Sequence, residues 1–138
     1  MHKVRLLVEL QLAAAAARAV TPRLVADLDH LLVAQNACGD DPVRLLLCDR
    51  EFHMPIYHAG GNDVLFAMAM PLYNFLLDHR RRIVARAGAV QVSIEDHRAT
   101  RNAIAAGDAD AARDAFATRT TRIYTTTRQF LNNAAANG

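Results

Sequence analysis

Tryptophan is absent from this chain, and proline, glycine and cysteine number only 4, 6 and 2 in 138 residues. So few breakers leave little room for the frequent tight turns of a small β-sandwich or barrel. Aromatic residues make up only 6% of the chain, and alanine and leucine, strong helix formers that allow close helix packing, dominate in their place. No segment alternates apolar and polar residues over the length of a strand, and neither an internal repeat nor a linker is visible. The expected class is all-α. A length of 138 residues and 52% hydrophobic content suit one domain with one core, since domains commonly run to about 100–200 residues.

An excess of one charge is missing too. Lysine and arginine total 16 against 14 acidic residues, a formal +2, which does not make a surface built to hold nucleic-acid phosphate. The one basic run, Arg80-Arg81-Arg82, reads as a solvated helix face. The Leu- and Ala-rich start is interrupted by Glu9, Gln11 and Arg18, so it lacks the roughly 20 apolar residues that span a bilayer. No signal peptide is apparent, and Cys38 and Cys48 lack CxxC spacing, so a soluble protein of the reducing cytoplasm, with no membrane partner, is expected.

Six helices follow from breakers and caps. The first runs from Lys3 to Val20 and stops at Thr21-Pro22, which also starts a second running to Gln35. Asp40 or Asp41 caps a third, from Pro42 to His58, ended by Ala59-Gly60-Gly61. Asn62 caps a fourth that reaches towards Ala87 and is bent or broken at Pro71. Ser93 and Asp96 resemble a capping box opening a fifth, which ends at Ala106-Gly107; Asp108 caps a sixth, running to Asn132 before a frayed tail.

Each helical residue turns about 100°, so sequence position tells which polar residues share the apolar arc. In the third helix Asp49 and His53 fall among Leu45, Leu46, Cys48, Phe52 and Ile56, while Arg50, Glu51 and His58 point away. Four apart, they stack on one face and either bind one ion or hydrogen-bond each other. His97 lies on the inward arc of Val90, Ile94 and Ile104, and Arg119 on that of Ala112, Ala115, Phe116, Ile123 and Phe130. A guanidinium keeps its proton, so Arg119 requires an anion, Asp49 or a bound acid, unless its stem reaches the surface.

These residues resemble the FCD domain, the C-terminal effector-binding and dimerising domain of FadR-type GntR transcription regulators. The likeness covers nearly the whole chain: Arg5-Leu6-Leu7-Val8-Glu9, Asp49-Arg50-Glu51-Phe52-His53, Gly61-Asn62, His97, Ala103-Ile104-Ala105-Ala106-Gly107-Asp108 and Ala111-Ala112. The resemblance implies an antiparallel helical bundle around a central cavity, FadR C-terminal-like, working as a homodimer. It also implies a divalent metal such as zinc or nickel, held by one aspartate and three histidines, that helps bind a small carboxylate, an organic or sugar acid. Carried over, the metal ligands are Asp49, His53 and His97; the ligand-lining set adds Arg5, Arg119 and Asn62, although Arg5 equally has Glu9 to pair with and Asn62 a capping role.

The chain departs from that pattern twice. The position of the family's last histidine holds Arg119, and no histidine follows His97. Arginine has no lone pair to donate and repels a metal, so two arrangements stand: a depleted three-ligand metal site, or a metal-free one where Arg119 pairs with Asp49 and meets the effector carboxylate itself. The second departure is the N-terminal winged-helix domain through which the family binds DNA. Met1 begins almost directly at the sensor domain, so residues 1–138 are expected to form one FCD-like domain with no DNA-reading part. A regulatory domain without enzymatic activity is expected; a metal-dependent hydrolase-like bundle and a degenerate, purely structural dimerisation domain are the alternatives.

Overall fold

The computed structural model describes residues 2–39, 41–75 and 89–138. Among them are six helices and no strand: α1 His2–Arg18, α2 Pro22–Asn36, α3 Pro42–Ala59, α4 Asp63–Phe75, α5 Ala89–Ala105 and α6 Ala109–Asn137. The fold is the all-α FadR C-terminal-like bundle.

Local chemistry sets most of the boundaries. Thr21 Oγ1 accepts from Leu24 N–H at 3.1 Å with Pro22 behind it, Asp41 Oδ1 from Val43 N–H at 2.9 Å, Asn62 Oδ1 from Leu65 N–H at 3.0 Å, and Asp108 Oδ1 from Ala111 N–H at 3.0 Å. Each satisfies one of the donors that a helix start leaves unpaired. Gly60 ends α3 where a Cβ would lie 2.8 Å from Leu12 Cδ2 and 3.3 Å from Leu12 O, so the approach of α3 to α1 requires the missing side chain.

Three expectations are corrected. Ser93 does not open a helix: α5 begins at Ala89 and Ser93 lies inside it, with its Oγ accepting from Gln35 Nε2 at 2.9 Å. The serine has a partner on another helix and is not needed as a cap. Pro71 does not break α4, which continues to Phe75; similarly Pro55 lies within α3. The tail does not fray at Asn132, because its alanines carry α6 to Asn137. The run Arg80-Arg81-Arg82 and the expected extension of the fourth helix to Ala87 lie outside the described residues.

α1 packs against α3, α4, α5 and α6, most extensively α6, while α2 packs on α3 and α5. It is the central helix, buried along Val8, Leu12, Ala13, Ala16 and Ala17, and its alanines let neighbours approach closely. Leu24, Leu28 and Leu32 of α2, Phe52 and Ile56 of α3, Ile104 of α5 and Phe116 of α6 complete the core. This packing directs polar side chains from all six helices towards a common centre.

Candidate functional site

Asp49 is the hub. Its side chain stands on α3 one turn before His53, and both are buried. Asp49 Oδ1 accepts from Arg119 Nη2 at 2.7 Å and faces His97 Nε2 at 2.9 Å, while Oδ2 accepts from the Tyr73 hydroxyl. His53 turns its Nδ1–H onto the Asp49 backbone carbonyl at 2.6 Å, the i−4 contact that an inward-facing helical residue makes; the Asp49 carboxylate is farther away, 3.7 Å from Nδ1. Nε2 is then the nitrogen carrying the lone pair.

His97 is clamped on both sides. Its Nδ1 meets Gln35 Oε1 at 2.7 Å, and Gln35 is oriented by donating from Nε2 to Ser93 Oγ. Each ring nitrogen thus faces one oxygen, Gln35 Oε1 on one side and Asp49 Oδ1 on the other. Phe52 stacks on the ring with centroids 4.1 Å apart, and His53 approaches edge-on at 5.2 Å. Burial, then the charge of Arg119, holds His53 well below the ordinary imidazole range, outweighing the opposing pull of Asp49, so this ring is neutral near pH 7.

A second buried group adjoins the first. Glu9 Oε1 accepts from Arg5 Nε at 3.1 Å and from the Tyr57 hydroxyl at 2.6 Å, and Oε2 accepts from Thr120 Oγ1 at 3.1 Å. Arg5 Cζ lies 5.9 Å from the centroid of the Tyr73 ring, so Tyr73 touches both groups. Burial and the neighbouring Glu9 carboxylate push the Tyr57 phenol well above its usual range; it serves as a donor.

Arg5 and Arg119 are only 2% and 1% exposed, which settles that the Arg119 stem does not reach the surface. Each keeps one buried nitrogen, Nη2 of Arg5 and Nη1 of Arg119, with no hydrogen-bond partner among the described residues. A buried donor left unpaired costs about 1–3 kcal/mol. An oxygen acceptor reaching either nitrogen would remove that cost.

The structure brings Asp49, His53, His97 and Arg119 together, with Arg5 beside them. Asn62 does not join: it is exposed and its Oδ1 serves the start of α4. Gln35, Tyr57, Tyr73 and Thr120 escaped sequence reasoning. Gln35 had a signal, since it continues the buried Leu24, Leu28, Leu32 stripe at helical spacing; so did Tyr57, four residues beyond His53 on the same face.

Asp49, His53 and His97 offer ligand atoms all within 4.8 Å of one another, a group that could hold a metal ion. The surrounding chemistry fits an ion poorly. Arg119 sets a fixed cation 2.7 Å from the carboxylate oxygen that a metal would need, and the other oxygen is engaged by Tyr73. A dication there would have to displace a donor and sit beside a guanidinium.

The fold and the site define an all-α bundle built around a buried carboxylate, imidazole and guanidinium centre. Residues 1–120 match the FCD domain family, and the chain belongs to it. Among solved structures it is similar to E. coli McbR/YncC, a GntR-family regulator with an FCD domain, with a TM-score of 0.79 and 22% sequence identity, covering 92% of this chain and 65% of that one. No curated protein matches the sequence. FCD domains of GntR regulators are regulatory, not enzymatic, and among the described residues no helix is long and apolar enough to cross a membrane.

Proposed function

We propose that this chain is the effector-sensing part of a GntR-type transcription regulator and binds a small carboxylate, an organic or sugar acid, at a metal-free centre in which Arg119 takes the cation's place. The observation that carries this reading is the Arg119 guanidinium: one nitrogen is spent on Asp49, while Nη1 is buried without a partner. A carboxylate accepting from Nη1 removes the cost of the unpaired donor and gains a charge-assisted hydrogen bond. Arg5 Nη2 offers a second such contact, and the neutral His53 ring adds polar surface without competing charge.

Occupancy would bias the packing of α1, α3, α5 and α6, all of which contribute to the centre, and DNA would be reached only through a separate winged-helix domain. Exposed Leu7 on α1, and Val64 and Met68 on α4, support pairing with a second copy, since α1 and α4 pack together. The alternative of a metal-dependent hydrolase lacks support from the guanidinium at the coordination centre. Thermal stability measured against a panel of mono- and dicarboxylates tests the reading. A saturable rise is expected with at least one acid and is lost in Arg119→Ala; a panel that stabilises nothing leaves a structural dimerisation domain as the better description.

A further inference from the structure

Cys38 and Cys48 lie outside the polar centre, one just past the end of α2 and the other on α3, the two helices that clamp His97. Cys38 follows the end of α2, buried, with its N–H donating to Gln35 O at 3.1 Å. Cys48 is half-buried on α3, directly before Asp49. The structure joins the two sulfurs as a disulfide although they lack CxxC spacing. Their Cα atoms are 7.6 Å apart, wider than the roughly 4.4–6.8 Å of most disulfides. Cys38 Sγ also lies 3.3 Å from Ala34 O, an acceptor that a thiol can use and a disulfide sulfur cannot. Each redox state thus has a partner in place: a second sulfur for the oxidised form, a carbonyl for the reduced one.

We infer that Cys38 and Cys48 form a reversible thiol oxidation site that sets the spacing of α2 and α3 and, through it, the grip on His97. Gln35, in the turn before Cys38, holds His97 Nδ1 at 2.7 Å; Asp49, adjacent to Cys48, faces Nε2 at 2.9 Å. The bond ties the end of α2 to α3, and its reduction frees them to part. His97 bridges the same two helices, so its environment follows the thiols. The oxidant class is a peroxide. Cys48, the more exposed sulfur, attacks as thiolate one oxygen of hydrogen peroxide, breaking the O–O bond to give a sulfenic acid and, with a proton, water. The Cys38 sulfur then attacks the Cys48 sulfur, forming the S–S bond and displacing the second water. Two thiols lose two hydrogens and the peroxide is reduced to two waters; a dithiol reductant reverses the change by exchange.

The full chain is treated with stoichiometric hydrogen peroxide, then with dithiothreitol, and followed by intact mass and by nitrogen-15 NMR of the histidine rings. The expected result is a loss of two hydrogens that dithiothreitol restores, absent in Cys38→Ser and in Cys48→Ser. With it the His97 ring resonances shift between the two states, while those of exposed His30 on α2 stay in place. Thiols that remain open to alkylation after peroxide overturn the oxidation site. A bond that forms and breaks without moving the His97 resonances overturns the coupling. The two overturning outcomes are read on the unaltered protein, so neither depends on a variant folding.

Discussion

Arg119 of α6 donates from Nη2 to Asp49 of α3 at 2.7 Å, with both side chains buried. The contact joins helices remote in sequence and occupies the oxygen that a metal ion would otherwise claim. Removing one partner of such a pair strands the other charge, which is costlier than never having buried either. Asp49→Ala takes the carboxylate away from Arg119 and removes the oxygens that the Tyr73 hydroxyl and His97 Nε2 face. A loss of about 3–5 kcal/mol is expected for a broken buried pair, read by urea denaturation of the two proteins. A loss below about 1 kcal/mol, the range of exposed pairs, would contradict the burial described above.

Arg119→His supplies an imidazole in place of the guanidinium and makes a set of one carboxylate and three histidines. This variant is expected to bind zinc or nickel stoichiometrically in a calorimetric titration, whereas the unaltered chain binds neither tightly. Equal affinity in the two proteins would sink the arginine-centred reading.

The depressed affinity of His53 for a proton makes stability depend on pH. Above the unfolded-state value of about 6.5 the ring is neutral in both states and its contribution is complete. As pH falls below that, the unfolded chain takes up a proton that the folded one refuses, and stability declines until pH reaches the lower folded value. The expected slope from this one group is at most about 1.4 kcal/mol per pH unit. Denaturation midpoints of the unaltered chain and His53→Asn, measured from pH 7.5 downwards, check it: the difference between the two must change with pH in this window, with the unaltered chain losing more.

Gly60→Ala places a methyl carbon against Leu12, whose side chain is fully buried. Overpacking of this kind costs about 1–3 kcal/mol, measurable as a lower melting temperature. Leu12→Ala in the same chain is expected to recover part of the methyl clash, so the two substitutions should not add.

Most of the fold was legible because its determinants are local. Thr21-Pro22, Asp41-Pro42, Asn62 and Asp108 start helices whether or not anything packs on them, and helical periodicity put Asp49, His53, His97 and Arg119 on inward arcs before any neighbour was known, leaving open only whether the Arg119 stem reached the surface. Ser93 shows the limit. Its residue type suits a cap, but Gln35, 58 residues earlier in the chain, turns it into a mid-helix hydrogen-bond partner.

The sequence by itself therefore determined that a carboxylate, two imidazoles and a guanidinium face inward, since helical periodicity assigns each side chain a side of its own helix. Which inward faces meet was decided by the packing of four helices around α1 and of α2 on α3 and α5. Only that packing set Arg119 on Asp49, gathered Arg5, Tyr57 and Thr120 onto Glu9, put Tyr73 between the two groups, and brought Cys38 to Cys48. Periodicity fixes an angle about one axis, whereas a site requires distances between axes, and those exist only once the helices are docked.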